Sequence, residues 1–436
     1  MPPNVHLQRR REATPSRVES GRAMGRAELA EAANHYLWRT HQQRCDLDAR
    51  TIARYERGVV RWPNERYREA FRAVLGATDS ELGFLPCRQR REATESPDDT
   101  LAVNLFSPFD PGVGPTIYLG LNTTDDKPVS RVGRTEVEQV QTATRAAAQA
   151  ENLHGGGSAS LAAGAHLTRF VRLLDGHSAP PTRRALLEAI GNLSSVAGYA
   201  AFDIGDYPVA ERRFRLALWC ADNAGSWELR ASTLADMARK MAYIGNTDGA
   251  LSLIELAQVR SDRLSATARA MLSALRGQFL AVAGRTQEAL TEVATSDEHF
   301  ADRTPATDAP WLCYYDTAEH LGSTGKALIP VAKARRRIDL AAPRIREAVA
   351  LQGTQYPRSR TFSLTRLATL TMQLDDPREA AAIGLEATQQ ATAFRSQRIQ
   401  NELRTLAAAA APRRRMTEVA ELRYAIANSA PTGSDQ

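Results

Sequence analysis

The sequence predicts an all-α protein, with a helical N-terminal module and a longer helical C-terminal module joined by a proline-rich linker. Three observations predict it. Apolar residues recur at helical spacing over residues 25–85, in an alanine- and arginine-rich stretch with few β-branched clusters. Residues 92–133 then gather Pro97, Pro108, Pro111, Pro115 and Pro128 with Asp and Gly, which break long helices. Beyond Pro181, small and aromatic residues return at fixed offsets around turn glycines, the signature of an internal helical repeat. A chain of 436 residues is long enough for two or three such units.

Composition narrows the class. With 43% hydrophobic and 24% charged residues the balance is that of a globular protein, and no apolar run approaches the roughly 18 residues of a membrane span. Residues 1–11 carry Pro and Arg rather than the apolar core of a secretory signal, so a cytoplasmic location is expected. Cys45, Cys87, Cys220 and Cys313 form no CxxC pair and read as reduced thiols. Charge is strongly segregated. Residues 1–91 hold 18 arginines, no lysine and 11 acidic residues, an excess of +7, whereas the whole chain carries only +6. The positive charge therefore sits in the first module, as a polyanionic partner would require.

Within that module, the run 26–32 (Arg-Ala-Glu-Leu-Ala-Glu-Ala) is followed by 48–58 (Asp-Ala-Arg-Thr-Ile-Ala-Arg-Tyr-Glu-Arg-Gly). Helical geometry assigns roles in the second run. Asp48 caps a helix, Ile52 and Tyr55 face inward, and Gly58 ends it. Arg50, Thr51 and Arg54 then face outward, with the two arginines four apart on one face, suited to a guanine edge or a phosphate. Glu56, acidic among arginines, is expected in an internal ion pair with Arg10 or Arg11.

The two runs resemble the phage-repressor-like (XRE) helix-turn-helix family over about the first 85 residues. The resemblance implies that the second helix enters a DNA major groove. It further implies that Arg26 contacts phosphate from the start of the preceding helix, that Ala49 with Arg50, Thr51 and Arg54 faces DNA, and that Arg57 and Arg61 flank the helix end. The chain departs from the family at residues 34–47, about twelve residues longer than the common spacing. Residues 33–38 are expected to extend the first helix and 41–45 to form a loop. Two more helices are expected at 63–75 and 79–84. His35, His41 and Cys45 lack a fourth ligand and standard spacing, so no metal is expected.

The linker is assigned to residues 92–134, with one extended piece at 116–121. A helical hairpin follows over 135–176, the first helix stopping at Gly155-Gly156-Gly157 and the second resuming at Leu161. No Gly-Lys-Ser/Thr follows the triple glycine, so it reads as a helix cap and not a phosphate loop.

The repeat domain is assigned to 177–428 and a disordered tail to 429–436. Its clearest unit runs over 198–210 (Gly-Tyr-Ala-Ala-Phe-Asp-Ile-Gly-Asp-Tyr-Pro-Val-Ala) with Phe214 and Ala217. Aligned on the alanine of the second helix, the units fall at Ala210, Ala250, Ala289, Ala327 and Ala380, with turns at Gly205, Gly245, Gly284, Gly322 and Asp375. These units resemble tetratricopeptide repeats, widened beyond the 34-residue frame, and imply an α-solenoid. A capping helix is expected at 413–428.

A catalytic set is not apparent: HExxH, GxSxG and GxGxxG are absent, and 322–327 (Gly-Ser-Thr-Gly-Lys-Ala) fails the Walker pattern at His320 and Ala327. The Asp375-Asp376 pair sits in a turn, and the basic runs 335–337 and 413–415 read as solvated faces. No enzyme activity and no cofactor are expected. The modular order resembles actinobacterial, Streptomyces-type regulators of differentiation and secondary metabolism. That resemblance implies a homodimer on double-stranded DNA, with repression as the expected sign. The repeat domain would bind a peptide, small-molecule or protein signal through first-helix residues such as Asn192, Tyr199, Arg239, Gln278 and Asp316. The alternative is a protein-interaction scaffold that regulates development without touching DNA.

Overall fold

A computed structural model describes residues 4–16, 18, 21–41, 45, 47–58, 60, 63–79, 81–84, 115–120, 131–353 and 356–429. Among them it is all-α, with eighteen α-helices, and pairing outside helices is limited to two isolated bridges. No described helix is long and apolar enough to cross a membrane. The chain divides into two compact units, Met1–Leu101 and Ala102–Gln436.

The first unit packs four helices: α1 (Val5–Ala13), α2 (Arg26–His41), α3 (Ala49–Glu56) and α4 (Glu65–Leu75). Leu7, Met24, Leu29, Ala33, Leu37, Ile52, Phe71, Leu82 and Phe84 fill one core at their centre. α2 runs further than the tight helix-turn-helix spacing allows. Asn34 then clips the returning chain, donating from Nδ2 to the Leu47 carbonyl at 2.9 Å and accepting from its N–H at 3.1 Å. In the stretch 79–84, expected as a helix, residues 79 and 81–83 are turns, and Ser80 lies outside the described residues. Two backbone bonds, Leu82 onto Thr78 and Phe84 onto Asp79, close the turns, Asp79 takes ion pairs from Arg68 and Arg72 of α4, and Phe84 packs on Phe71.

The second unit is a succession of antiparallel helix pairs. A first pair, α5 (Arg134–His154) and α6 (Gly156–Val171), is followed by α7 (Pro180–Asp203) with α8 (Tyr207–Ala224) and α9 (Trp227–Tyr243) with α10 (Thr247–Gln258). Next come α11 (Ala266–Val282) with α12 (Thr286–Ala301), α13 (Thr317–Arg335) with α14 (Ala342–Leu351), α15 (Pro357–Leu374) with α16 (Pro377–Ala391), and α17 (Gln397–Ala410) with α18 (Thr417–Asn428).

The turns explain the glycine pattern in part. Gly205, Gly245 and Gly284 have φ of 86°, 90° and 78°, and the following amide closes each turn, Asp206 onto Ala201, Asn246 onto Met241 and Arg285 onto Leu280. A left-handed residue costs glycine nothing, which is why it marks these three turns.

The fourth unit departs from the sequence reading. Gly322 and Ala327 lie inside α13, and the turn comes at Arg336, itself left-handed at φ 53°. Glycine serves here for helix contact: a Cβ on Gly325 would stand 2.7 Å from Ile345 of α14. His320, on the same helix, is stacked on Phe300 with ring centroids 4.0 Å apart and bonded to Asp297 at 2.8 Å. The Walker-like stretch is thus continuous helix.

Two boundaries also shift. The piece expected to be extended at 116–121 is a 3-10 turn over Pro115–Leu119 that packs on α8 and α6, with Tyr118 in their apolar cluster, so this end of the linker belongs to the second unit. The capping helix expected at 413–428 is α18, which starts at Thr417 and is joined to α17 through a 3-10 turn at Ala411–Arg413. The tail from residue 430 lies outside the described residues.

At the triple glycine, Gly155 alone makes the turn, at φ 79°, and α6 starts at Gly156, five residues earlier than expected. A Cβ on Gly156 would sit 2.4 Å from the Ala200 carbonyl oxygen, so glycine lets α6 abut α7. Gly156→Ala is expected to cost about 1–3 kcal/mol. A melting temperature of the second unit equal to wild type would show that the contact yields freely.

Candidate functional site

The exposed face of α3 is built by its cap and its core. Asp48 accepts from the Thr51 amide at 2.7 Å and from its hydroxyl at 2.6 Å. These bonds hold the Asp48 carboxyl below its ordinary range, against the small opposing effect of burial. Ile52 and Tyr55 are buried on the opposite face, Tyr55 edge-on to Phe71, and Gly58 follows the helix at φ 73°. That fixes the helix about its axis. Arg50 and Arg54 are exposed on its outer side, and neither guanidinium has an ion pair or hydrogen bond among the described residues.

Several other arginines of this unit are occupied, whereas Arg9 and Arg39 are exposed without an ion pair or hydrogen bond among the described residues. Glu56, 3% exposed, receives Arg11 Nε at 2.7 Å on one oxygen and Arg26 Nε at 2.6 Å on the other. Arg10 instead caps the carbonyls of Leu75 and Gly76. Arg26, expected on phosphate, is therefore half committed to an internal bridge that joins α2 to α3, with its remaining surface open. Arg57 folds back to the Ala53 carbonyl through Nε and is otherwise exposed. Ala49 is half-buried, Thr51 is tied into the cap, and Arg61 lies outside the described residues. Among the described residues the segregated charge thus has two components, one that ties the bundle together and one, including Arg50 and Arg54 of α3, that faces outward.

The second unit contains a distinct feature. Its first helices, α7, α9, α11, α13, α15 and α17, surround a cavity of about 300 Å³. The ends of the succession meet. Asp203 of α7, fully buried, accepts from Ser396 Oγ at 2.9 Å, from the Gly156 amide at 3.1 Å and from Arg358. Arg358 also pairs with Glu151 at 3.0 Å. Arg398 of α17 donates to the Tyr199 hydroxyl at 2.9 Å, and Asn401 donates to Tyr243. Residues nearly 200 apart in sequence are joined along this seam.

Of the expected groove residues, Tyr199, Arg239 and Gln278 line the cavity together, while Asn192 does not and Asp316 caps α13 by accepting from the Glu319 amide. Sequence reasoning missed Lys326, Gln352, Arg358, Arg366, Arg398 and Glu402, which α13, α15 and α17 bring into the same wall. Arg239 is held by Asp236 at 2.6 Å and Arg366 by Glu402 at 3.1 Å. Burial drives the Lys326 amine well below its ordinary range, with Arg366 adding to the effect. Burial raises the Glu319 carboxyl. It acts the same way on Glu402, where Arg366 and Lys326 outweigh it and hold the group low. Among the described residues no cluster of His, Cys, Asp and Glu could hold a metal ion.

No family model, curated protein or solved structure matches the chain.

Proposed function

We propose that this chain is a sequence-specific, DNA-binding transcription regulator. It works in the cytoplasm as a homodimer, with α3 as the recognition helix and repression as its direction. The second unit, a tetratricopeptide-like solenoid in this reading, takes up the signal. One observation carries the reading: Arg50 and Arg54 stand one turn apart on a capped, rotationally fixed helix, exposed and without ion pairs or hydrogen bonds among the described residues. Unpaired guanidiniums on such a helix suit bidentate contact with guanine or phosphate.

The test is selection of bound duplexes from a random pool by the full chain, followed by titration between 50 and 200 mM salt. The expected product is a two-fold sequence whose half-sites are spaced by about 10–10.5 base pairs or a multiple. Affinity should fall linearly with log salt, as phosphate neutralisation requires. A pool that stays random after repeated rounds would reject sequence reading.

A further inference from the structure

Among the cations lining the cavity of the second unit, Lys326 stands apart, and Glu319 lines the same wall without an ion pair among the described residues. Arg239, Arg358 and Arg366 each have a carboxylate partner, Asp236, Asp203 with Glu151, and Glu402. Lys326 has none: no hydrogen bond or ion pair reaches its amine. Arg366, Arg398, Arg239 and Glu402 are the charges that act on it most, and Glu319 lies two turns before it on α13.

Buried polar atoms around the same space are also left over. Gln352 is 3% exposed and its Oε1 has no partner, and Arg358 and Arg398, 7% and 9% exposed, each have an unpartnered Nε. Natural interiors rarely leave such atoms unsatisfied, and several around one cavity point to an occupant that completes them. Phe202, Phe279 and Phe362 give the wall an aromatic part, beside polar residues such as Gln278, Glu319 and Ser363. A volume of about 300 Å³ lies at the small end of small-molecule pockets.

We propose that this cavity binds a small aromatic organic anion, whose acid group pairs with Lys326 and whose ring packs among Phe202, Phe279 and Phe362. The inference rests on the signal-accepting role proposed for the second unit and names its ligand class. The acid group neutralises the unpaired amine, and a neighbouring donor on the ligand satisfies Gln352. A neutral ligand would leave the amine buried and alone, which is why charge, beyond ring size, sets the selectivity.

The probes are 8-anilinonaphthalene-1-sulfonate and N-phenyl-1-naphthylamine, the same aromatic skeleton with and without the acid group, titrated into the full chain by fluorescence. Saturable binding of one sulfonate per chain is expected. Lys326→Met should weaken it at least tenfold while changing the affinity of the neutral amine less than threefold. Equal sulfonate affinity in wild type and K326M, or equal binding of the two probes by wild type, would overturn the proposal. A measurement on wild type alone covers a K326M variant that fails to fold: 3-phenylpropionate should displace the sulfonate and 3-phenylpropionamide should not, and displacement by both equally overturns the assignment. Operator affinity with and without the sulfonate is a separate readout. Binding at Lys326 with no change in operator affinity leaves the site intact and removes its role as signal input. Absence of any operator, with anion binding retained, overturns the proposed function and leaves the site standing.

Discussion

Arg50→Ala/Arg54→Ala should lose operator affinity by about 1.5 to 4 orders of magnitude at physiological salt while melting like the wild type. Each well-made bidentate contact contributes about 1–3 kcal/mol of discrimination, so removing two costs about 2–6 kcal/mol. Neither side chain contacts the fold, and exposed substitutions of this kind usually stay within about 0.5 kcal/mol in stability. Arg26→Ala is the informative contrast. Its Nε holds one oxygen of the buried Glu56, so this change should lower the stability of the first unit as well as DNA affinity. Footprinting of the double variant on the selected operator, beside a thermal melt, separates the cases. Unchanged sequence preference in the double variant would remove α3 as the reading helix.

Asp203→Ala should be the most damaging single change in the second unit. The carboxylate is fully buried and satisfies Arg358, Ser396 and the Gly156 amide at once. Removing one partner of such a buried network leaves Arg358 with Glu151 alone and commonly costs about 3–5 kcal/mol. In denaturation the transition of the second unit should move to lower urea while that of the first stays in place. Hydrogen exchange should accelerate first in α17, which loses the Ser396 bond to α7 and keeps only that of Arg398 to Tyr199. A loss below about 1 kcal/mol would mean that the seam is held by its apolar contacts and not by this group.

The helical class was readable because spacing and composition agreed over long stretches, and the role of Asp48, Ile52, Tyr55 and Gly58 followed from one helix and its cap. The ion pair from Arg11 to Glu56 was readable too, since an acid among arginines has few other uses. What escaped the sequence depended on distant partners or on a residue outside its usual place. The fourth turn carries Arg336 where a glycine was sought, and the glycines actually present, Gly322 and Gly325, face α14 and α15. The cavity was half visible: Tyr199, Arg239 and Gln278 come from consecutive inner helices, but Lys326, Arg366 and Arg398 join them only because the succession returns on itself. No local signal encodes that return. The triple glycine came closest, since Gly156 and Gly157 stand against Asp203 and Arg395, which meet only in the folded chain.

That return changes how the unit must come apart and be made. A linear stack of helical pairs derives its stability from neighbours, so its ends fray and its middle persists. The seam from Tyr199 and Asp203 to Arg358, Ser396 and Arg398 abolishes those ends and couples the terminal pairs to each other. It also raises the sequence separation of the decisive contacts, which slows folding relative to a purely local stack. On the ribosome, α7 would emerge long before Ser396 and Arg398, leaving Asp203 without two of its partners until the last helical pair is synthesised. The enclosed cavity is therefore a property acquired late, with the final pair of helices as its clasp.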